Sequence, residues 1–186
     1  TAAGGAVPRH QPGRAFADHS TDPTTRGLMV SRATGMPLSH WIQEQVLNPM
    51  GAAHPGLYSQ DRAKNGLGDS GMRLRMEDWM RFAVWVKESS KKSDCFGDFV
   101  KAAMAKQIGN DRNPAARKHG RMFGGYGYLI WTENTTAPGT AWATGWGGQR
   151  IGWNYGNDQM VVVFSSREAW IPEVYELARD WGKARN

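Results

Sequence analysis

The sequence is poor in cysteine, in long apolar runs and in clustered charge. Cys95 is the one cysteine among 186 residues, so the chain can form neither an internal disulfide nor a cysteine-based zinc cluster. No apolar run approaches the length that crosses a bilayer, and no membrane span is predicted. Periplasmic, secreted and cytoplasmic locations all stay open, because a chain without disulfides is compatible with each of them.

Basic residues outnumber acidic ones but are scattered. Lys and Arg number 23 and Asp and Glu 17, which is a net charge of +6, and no basic run is longer than Lys91-Lys92. A dedicated nucleic-acid surface is therefore not predicted. Hydrophobic residues make up 40% and charged residues 22%, a balance typical of a folded globular chain.

The histidines show no metal-binding pattern. They lie on separate predicted loops or on a polar helix face, without the spacing of a His-Glu-x-x-His site. We therefore predict no metal and no other cofactor. The histidines concerned are His10, His40, His54 and His119.

Tryptophan and glycine are abundant instead. The chain has nine Trp and 23 Gly, and both concentrate between Phe123 and Trp153. Bulky rings beside glycines indicate a sheet where backbone and aromatic side chains meet closely, as in a binding groove. A tryptophan-rich core with loop glycines has the same composition, so both interpretations stand at this point.

The sequence divides into three ranges. Residues 1–20, rich in Gly and Pro, predict an extended connector, and a chain that opens in a connector suggests that a further segment precedes it. Residues 21–120 predict a mainly helical region, and residues 121–186 predict an antiparallel sheet plus a C-terminal helix. Helices, then an antiparallel sheet and a closing helix make an α+β fold, here one fragment of a larger domain pair.

Caps and periodicity predict the helices. Asp22 as N-cap before Pro23 is typical of a helix start, and Gly35 of its end. Apolar residues from Trp79 to Val86 recur at i, i+3, i+4 and i+7, which predicts a buried stripe. The predicted helices run from Asp22 to Ala33, from Ser39 to Asn48, from Glu77 to Glu88, from Phe99 to Gln107 and onward from Pro172, with a loop over 52–71.

A period of two replaces the helical period after residue 120. Tyr126, Tyr128 and Ile130 alternate with other residues, which predicts a strand from Tyr126 to Trp131. Gly156-Asn157 is typical of a tight turn between two strands. Further strands are predicted over Ala141–Trp146, Arg150–Tyr155 and Met160–Ser165.

Several short blocks resemble, in order, the motifs of one fold family. They are similar to the C-terminal portion of serine β-lactamases and penicillin-binding proteins, nearest to class C β-lactamases, family VIII carboxylesterases and 6-aminohexanoate-dimer hydrolases. The blocks are Gln11–Phe16 (PPG-x-x-F), Gly27 with Ala33–Leu38 (LLG…x-TG-x-x-L), Asn48–Gly51 (PLGM), Ser70–Met72 with Glu77–Phe82 (GGL…x-x-D-x-x-RF), and Tyr126–Trp131, Gly145–Gln149 and Met160–Val163 (GYGYxWW…GxGGQ…DLVVV).

The resemblance implies a β-lactamase/transpeptidase-like fold and a serine hydrolase. Such an enzyme uses a Ser-x-x-Lys pair, whose serine forms an acyl-enzyme that water hydrolyses. In the family this pair precedes the PPG-x-x-F block, so we expect the pair and the N-terminal part of the fold upstream of this chain. Ser89-Ser90-Lys91-Lys92 matches the pattern formally, but it is out of family order and is typical of a solvated helix end.

The resemblance places Asp18, His19 and Ser20 where the family has Tyr-x-Asn or Tyr-Ser-Ser. Ser20 fits the third place, but Asp18 stands where the activating tyrosine belongs. Asp18 is ionised at neutral pH and is shorter than a phenol, whereas His19 could serve as a general base. These three are candidate catalytic residues, and a loop that caps the next helix is the alternative.

Trp146-Gly147-Gly148 falls where penicillin-recognising enzymes have Lys-Thr-Gly. Two glycines on a strand edge would let substrate backbone approach, and the next amide could donate to a developing oxyanion. Trp in place of Lys removes a cation that would pair with a β-lactam carboxylate, which favours esters or amides without one. The candidate substrate-binding residues are Trp146, Gly147, Gly148, Gln149, Tyr126 and Tyr128, with a sheet bulge or core packing as the alternatives.

Three functions remain open. The first is the C-terminal part of a serine hydrolase that acts on a small-molecule ester, amide or β-lactam. The second is a catalytically inactive relative that acts as a binding module, which Asp18 at the tyrosine position favours. For both, an N-terminal segment or another chain is expected to complete the sheet. The third is a hydrolase whose nucleophile is Thr1, although the Gly/Pro-rich segment after it is not typical of such enzymes.

Overall fold

Helices and one antiparallel sheet make up the fold, which confirms the α+β prediction. In the computed structural model, the described residues are 17, 19–110, 122–166 and 180. Within these ranges the helices are α1 (Thr21–Thr34), α2 (Leu38–Ile42), which continues as a π-helical turn (Gln43–Leu47), α3 (Met76–Ser90) and α4 (Cys95–Met104). The strands are β1 (Ile108–Gly109), β2 (Phe123–Tyr126), β3 (Trp131–Asn134), β4 (Thr140–Gly145), β5 (Gln149–Asn154) and β6 (Met160–Val163).

Each strand of the sheet pairs with the next one in sequence. The order is β1-β2-β3-β4-β5-β6, and every neighbouring pair is antiparallel. The β4–β5 ladder pairs six positions, from Thr140 with Asn154 to Gly145 with Gln149. The three residues Trp146–Gly148 connect these two strands, which form the longest ladder of the sheet.

The predicted stripe of α3 is confirmed as the centre of the core. Ala83 is fully buried, and Trp79, Phe82 and Val86 pack against the same cluster. Trp153 on β5 is 1% exposed, and its indole Nε1 donates to the carbonyl of Ala83 at 2.9 Å. One side chain thus contributes both apolar burial and a satisfied polar contact between helix and sheet.

Helix α1 has the predicted extent but not the predicted cap. Gly35 ends it in the left-handed region at φ +70°, as the sequence indicates. Ser20, not Asp22, is the N-cap residue, and it makes no capping hydrogen bond with its side chain. Asp22 lies in the first turn instead, where its negative charge interacts favourably with the helix dipole.

Helix α4 begins four residues earlier than the sequence predicts. It starts at Cys95, because the carboxylate of Asp94 accepts a hydrogen bond from the amide of Gly97 at 2.7 Å. It ends at Met104, since Ala105 is already extended. The Asp94 cap is the signal that the sequence analysis missed.

The prediction of a strand from Tyr126 to Trp131 is wrong. The chain turns there: β2 ends at Tyr126 and β3 begins at Trp131. The amide of Gly127 donates to the carbonyl of Ile130 at 2.7 Å, and a Cβ on Gly127 would lie 1.9 Å from the carbonyl oxygen of Ala103. The close approach of the end of α4 thus determines this turn, and alternation along the sequence cannot show it.

The remaining predicted elements fall into two groups. The last three strands lie within two residues of their predicted ends, and the turn at Gly156-Asn157 is confirmed. The helix predicted from Pro172 and the connector up to residue 16 lie outside the described residues. Within the described ranges, no helix combines the length and the apolar character that a membrane crossing requires.

Candidate functional site

A cavity of about 1010 Å³ lies between the sheet and a loop of the helical region. One part of its lining comes from β4, β5, β6 and the segment after β6. Another part comes from residues 67–74, which we call the cavity loop. Within the part of the chain that the structure describes, the lining residues are Ile42, Tyr58, residues 67–74, Trp79, Phe82, Leu129, residues 143–146, residues 149–151 and residues 162–166.

The Trp146-Gly147-Gly148 segment is a tight turn between β4 and β5, not a strand edge. Its backbone is not helical at the glycines, because φ is +73° at Gly147 and +87° at Gly148. Glycine is favoured there because a Cβ is strained in the left-handed region. Both glycines are buried and lie outside the cavity lining, whereas the side chain of Trp146 is 87% exposed at the cavity.

Arg150 holds both ends of this turn. Its guanidinium Nη1 donates to the carbonyl of Gly145 at 3.0 Å and to that of Gln149. The side chain is 3% exposed, so these contacts satisfy part of a buried cation. Gly145 and Gln149 are also a paired position of the β4–β5 ladder, which leaves the turn little freedom.

The side chain of Gln149 contacts the segment that follows β6. Its Nε2 donates to the carbonyl of Ser165, and the amide of Ser165 donates to its Oε1 at 3.4 Å. The side-chain amide therefore hydrogen-bonds the backbone of Ser165 as a neighbouring strand would, beside the end of the β5–β6 ladder. The backbone amide of Gln149 directly follows the turn and stays a predicted oxyanion donor.

The cavity loop packs closely on α1 and on the preceding loop. A Cβ on Gly68 would lie 2.2 Å from the carbonyl oxygen of Pro23. Gly71 has φ +81°, and its carbonyl accepts a hydrogen bond from the amide of Ser59 at 3.1 Å. The two glycines allow these close approaches, which a larger residue would prevent.

Tyr58 is a phenol at the cavity that the sequence analysis missed. Its hydroxyl donates to the sulfur of Met72 at 3.2 Å. Burial raises the pKa of Tyr58 to about 12, so the group is a neutral hydrogen-bond donor at physiological pH. It lies in an irregular loop, where no period or motif marks a side chain as functional.

The start of α1 reaches the cavity loop through Asp69. The hydroxyl of Thr24 donates to Asp69 Oδ1 at 3.0 Å, and the amide of Thr24 donates to the carbonyl of Ser20 at 3.4 Å. His19 and Ser20 are both exposed, and Asp18 lies outside the described residues. Of the three predicted catalytic residues, Ser20 thus lies one helical turn from the residue that contacts the cavity loop.

The two tyrosines that the sequence predicted as substrate-binding residues are not part of the cavity lining. Tyr126 is buried, with its ring edge-on to Trp131 at 4.7 Å between centroids. Tyr128 is about half exposed and stacks on Phe99 at 5.8 Å. Their neighbour Leu129 does line the cavity.

Ser89-Ser90-Lys91-Lys92 also lies away from the cavity lining. Ser89 is 1% exposed in the last turn of α3, and Lys91 pairs with Glu88 at 2.8 Å on the surface. Residues 89–92 therefore form a helix end, partly buried and partly solvated.

The described residues bring together no group of three or more His, Cys, Asp or Glu side chains that could hold a metal ion.

A model of the Beta-lactamase family matches residues 2–185. The chain belongs to the β-lactamase family. The match covers almost the whole sequence, so the resemblance seen in the short blocks is confirmed. The chain therefore has a serine hydrolase-like fold.

Solved structures of the same fold are similar over nearly the whole chain. A candidate 6-aminohexanoate-dimer hydrolase from Bacillus anthracis matches with a TM-score of 0.72 and 17% identity, over 95% of this chain and 47% of its own. A β-lactamase from Mycobacterium bovis matches with a TM-score of 0.66 and 17% identity, over 94% of this chain and 67% of its own. A candidate β-lactamase from Bacteroides dorei matches with a TM-score of 0.63 and 17% identity, over 92% and 59%.

This likeness shows the fold, because the identity is low. The chain spans less than half the length of the Bacillus anthracis protein. No curated protein sequence matches it.

Proposed function

We propose that this chain supplies the substrate-binding part of a serine hydrolase that cleaves ester or amide bonds of small molecules through an acyl-enzyme. The cavity between the Trp146 turn and the cavity loop carries the proposal. Its volume of about 1010 Å³ is at the upper end of the range of small-molecule sites. The start of α1 adjoins it through the hydrogen bond from Thr24 to Asp69.

The nucleophile in this proposal is the serine of a Ser-x-x-Lys pair in the part of the protein that precedes this chain. Its oxygen attacks the carbonyl carbon of the substrate, and the alcohol or amine leaves with the serine proton. Water then attacks the acyl ester and returns a proton to the serine. The backbone amide of Gln149 would donate to the oxyanion that develops in each step.

The charges around the cavity favour neutral substrates. Within the described part of the lining, the charged side chains are Asp69, Arg73 and Arg150. Arg150 is buried and donates to backbone carbonyls, and Trp146 falls where penicillin-recognising enzymes have a lysine. Most of the other lining side chains are apolar, so we propose esters or amides with an apolar acyl group and without a carboxylate.

A fluorophosphonate serine probe tests the proposal, with intact mass as the readout. We expect no adduct on the 186-residue chain and one adduct on the full-length protein, at the serine of the upstream pair. An adduct mapped within these 186 residues would move the nucleophile into this chain. No adduct on either protein would contradict the hydrolase proposal.

A catalytically inactive binding module is the second candidate. Asp18 at the position of the activating tyrosine favours it, and neither Tyr126 nor Tyr128 lines the cavity to replace that phenol. The substitution Asp18→Tyr in the full-length protein separates the two candidates. A binding module that lost its activating phenol would gain p-nitrophenyl ester hydrolysis, whereas a working hydrolase would lose activity or stay unchanged.

A further inference from the structure

Asp69 joins the two segments that meet at the edge of the cavity. Its carboxylate accepts a hydrogen bond from Thr24 in the first turns of α1 and another from its neighbour Ser70 at 3.2 Å. One carboxylate of the cavity loop thus binds the start of α1, where the helix dipole also favours a negative charge.

The backbone beside Asp69 is fixed to the same helix. A Cβ on Gly68 would come within 2.2 Å of the Pro23 carbonyl oxygen and within 3.1 Å of the Cα of Thr24. A Cβ on Gly27 would lie 3.7 Å from the Cα of Gly68. The backbone of the cavity loop therefore contacts the backbone of α1 directly, and this contact places the Asp69 carboxylate at the N-terminal end of the helix.

We propose that Asp69 is a positioning residue that holds Ser20, the N-cap residue of α1, at the edge of the cavity. The carboxylate keeps the first turn of α1 closed through Thr24, whose amide donates to the Ser20 carbonyl. The consequence for catalysis rests on the proposed function, since by the resemblance Ser20 takes the third place of the family's tyrosine motif. The consequence for the local structure does not depend on any reaction.

Asp69 is better suited to accept hydrogen bonds than to take up a proton. Desolvation raises the pKa of Asp69. The hydroxyls of Thr24, Ser20 and Ser70 and its own backbone lower the pKa by more, so that the pKa lies below its usual range. A carboxylate that stays ionised at neutral pH is a weak general base.

Amide hydrogen exchange tests the structural half of the proposal. The amide of Thr24 donates to the carbonyl of Ser20 at 3.4 Å, so its exchange rate reports opening of the first turn. Asp69→Asn should accelerate that exchange by about tenfold and leave the amides of α3 unchanged. Asp61→Asn is the matched control, because Asp61 lies in the same loop region and its carboxylate accepts hydrogen bonds from the backbone amide and the side chain of Asn65, which is not part of α1.

Removal of the partner hydroxyl gives a second, independent variant. Thr24→Val deletes the same hydrogen bond from the side of the helix and should accelerate exchange to a similar extent. In the Asp69→Asn background it should add little, because the contact is already lost. Thr25→Val is the control, since Thr25 donates to the carbonyl of Thr21 within its own helix.

Kinetics of the full-length protein test the catalytic half. Asp69→Asn should lower kcat for a p-nitrophenyl ester by about tenfold or more with little change in KM, because misplacement of catalytic groups reduces turnover. Asp69→Glu should restore part of kcat by keeping the charge. Asp61→Asn should leave both constants unchanged.

The outcomes separate the two proposals. Unchanged exchange at Thr24 in both Asp69→Asn and Thr24→Val would overturn the positioning role. If Asp69→Asn accelerates exchange at Thr24 but leaves kcat unchanged, the proposed contribution of Asp69 to catalysis is overturned. Faster exchange in a protein whose parent hydrolyses no ester and takes no fluorophosphonate would uphold the positioning of the segment and reject the hydrolase.

Discussion

The two parts of the cavity lining are held in place by different means. The sheet part rests on the six paired positions of the β4–β5 ladder, on the buried Trp153 and on the Arg150 contacts. The cavity loop has two isolated bridges in and beside it, Leu57 with Arg73 and Gln60 with Gly66. Its other contacts include the backbone hydrogen bonds that Leu67 and Gly71 make with Ser59, the close glycine contacts and the Thr24–Asp69 hydrogen bond.

This difference predicts different local stabilities. Cooperative ladders with buried side chains open only when much of the domain unfolds, whereas segments with few backbone hydrogen bonds open at lower cost. The sheet part therefore provides a rigid support for the Trp146 turn. The cavity loop can change its position, and hence the shape of the cavity, without unfolding the sheet.

The largest expected effect is that of Trp153→Ala on the sheet. It removes a fully buried indole and its hydrogen bond to Ala83, and should lower the free energy of unfolding by about 3 to 5 kcal/mol. Urea unfolding measures it. Trp146→Ala in the same hairpin should change stability by less than about 0.5 kcal/mol, and equal losses for the two variants would refute the contrast in burial.

Gly68→Ala should have the next largest effect and should act on the cavity loop. Its methyl group would collide with the Pro23 carbonyl at 2.2 Å, and we expect a loss of about 2 to 3 kcal/mol. Gly156→Ala is the control, since its nearest contact would be an ordinary 3.5 Å to Asn154. Exchange should accelerate in residues 67–74 before the sheet, and uniform acceleration would mean that the two parts unfold together.

Asp78 makes the attachment of α3 dependent on pH. Hydrogen bonding to the amide of Ala53 at 2.8 Å and to Arg81 at 2.7 Å outweighs burial and lowers the pKa of Asp78. A lowered folded-state pKa means that the carboxylate stabilises the fold above its ordinary pKa of about 3.9. That contribution is lost as the pH falls through the folded-state value.

Asp78→Asn is the corresponding variant. At pH 7 it should lower the free energy of unfolding by about 2 kcal/mol, because it loses charge-assisted hydrogen bonds. The difference from the parent should shrink as the pH falls below about 4, where the parent carboxyl becomes protonated. Unfolding curves from pH 7 to pH 2 measure it, and a difference that is constant across this range would contradict the assignment.

The smallest effect on stability, and a selective one on binding, is expected for Trp146→Ala. The side chain is 87% exposed at the cavity, so its loss should raise KM for an apolar ester by about tenfold and leave the fold intact. Trp146→Phe should recover most of the affinity. An unchanged KM in both variants would place the acyl group elsewhere.

Local signals predicted the elements whose stabilising contacts are local. Helix α1 follows from Gly35 as its end, and α3 from its apolar stripe between Trp79 and Val86. The tight turn at Gly156-Asn157 follows from its residue types in the same way. In each case the residues that form the predictive pattern lie within a few positions of one another in the sequence.

Long-range contacts determine what the sequence analysis missed. The strand predicted from Tyr126 is a turn because the carbonyl of Ala103 approaches Gly127 from another element. Asp69 meets Thr24 across 45 positions, and no spacing rule connects them. The site residues divide in the same way, since family motifs indicated Trp146 and Ser20 whereas Tyr58 and Asp69 needed the fold.

The geometry of the β4–β5 turn has a consequence for how this protein can evolve. The backbone angles at positions 147 and 148 favour glycine. The side chain of Trp146, which lies between these glycines and β4, takes almost no part in packing. Position 146 can therefore accept many residue types at little cost in stability. In the proposed hydrolase, preference for one acyl group over another would then shift by single substitutions there, while the scaffold that presents the side chain stays the same.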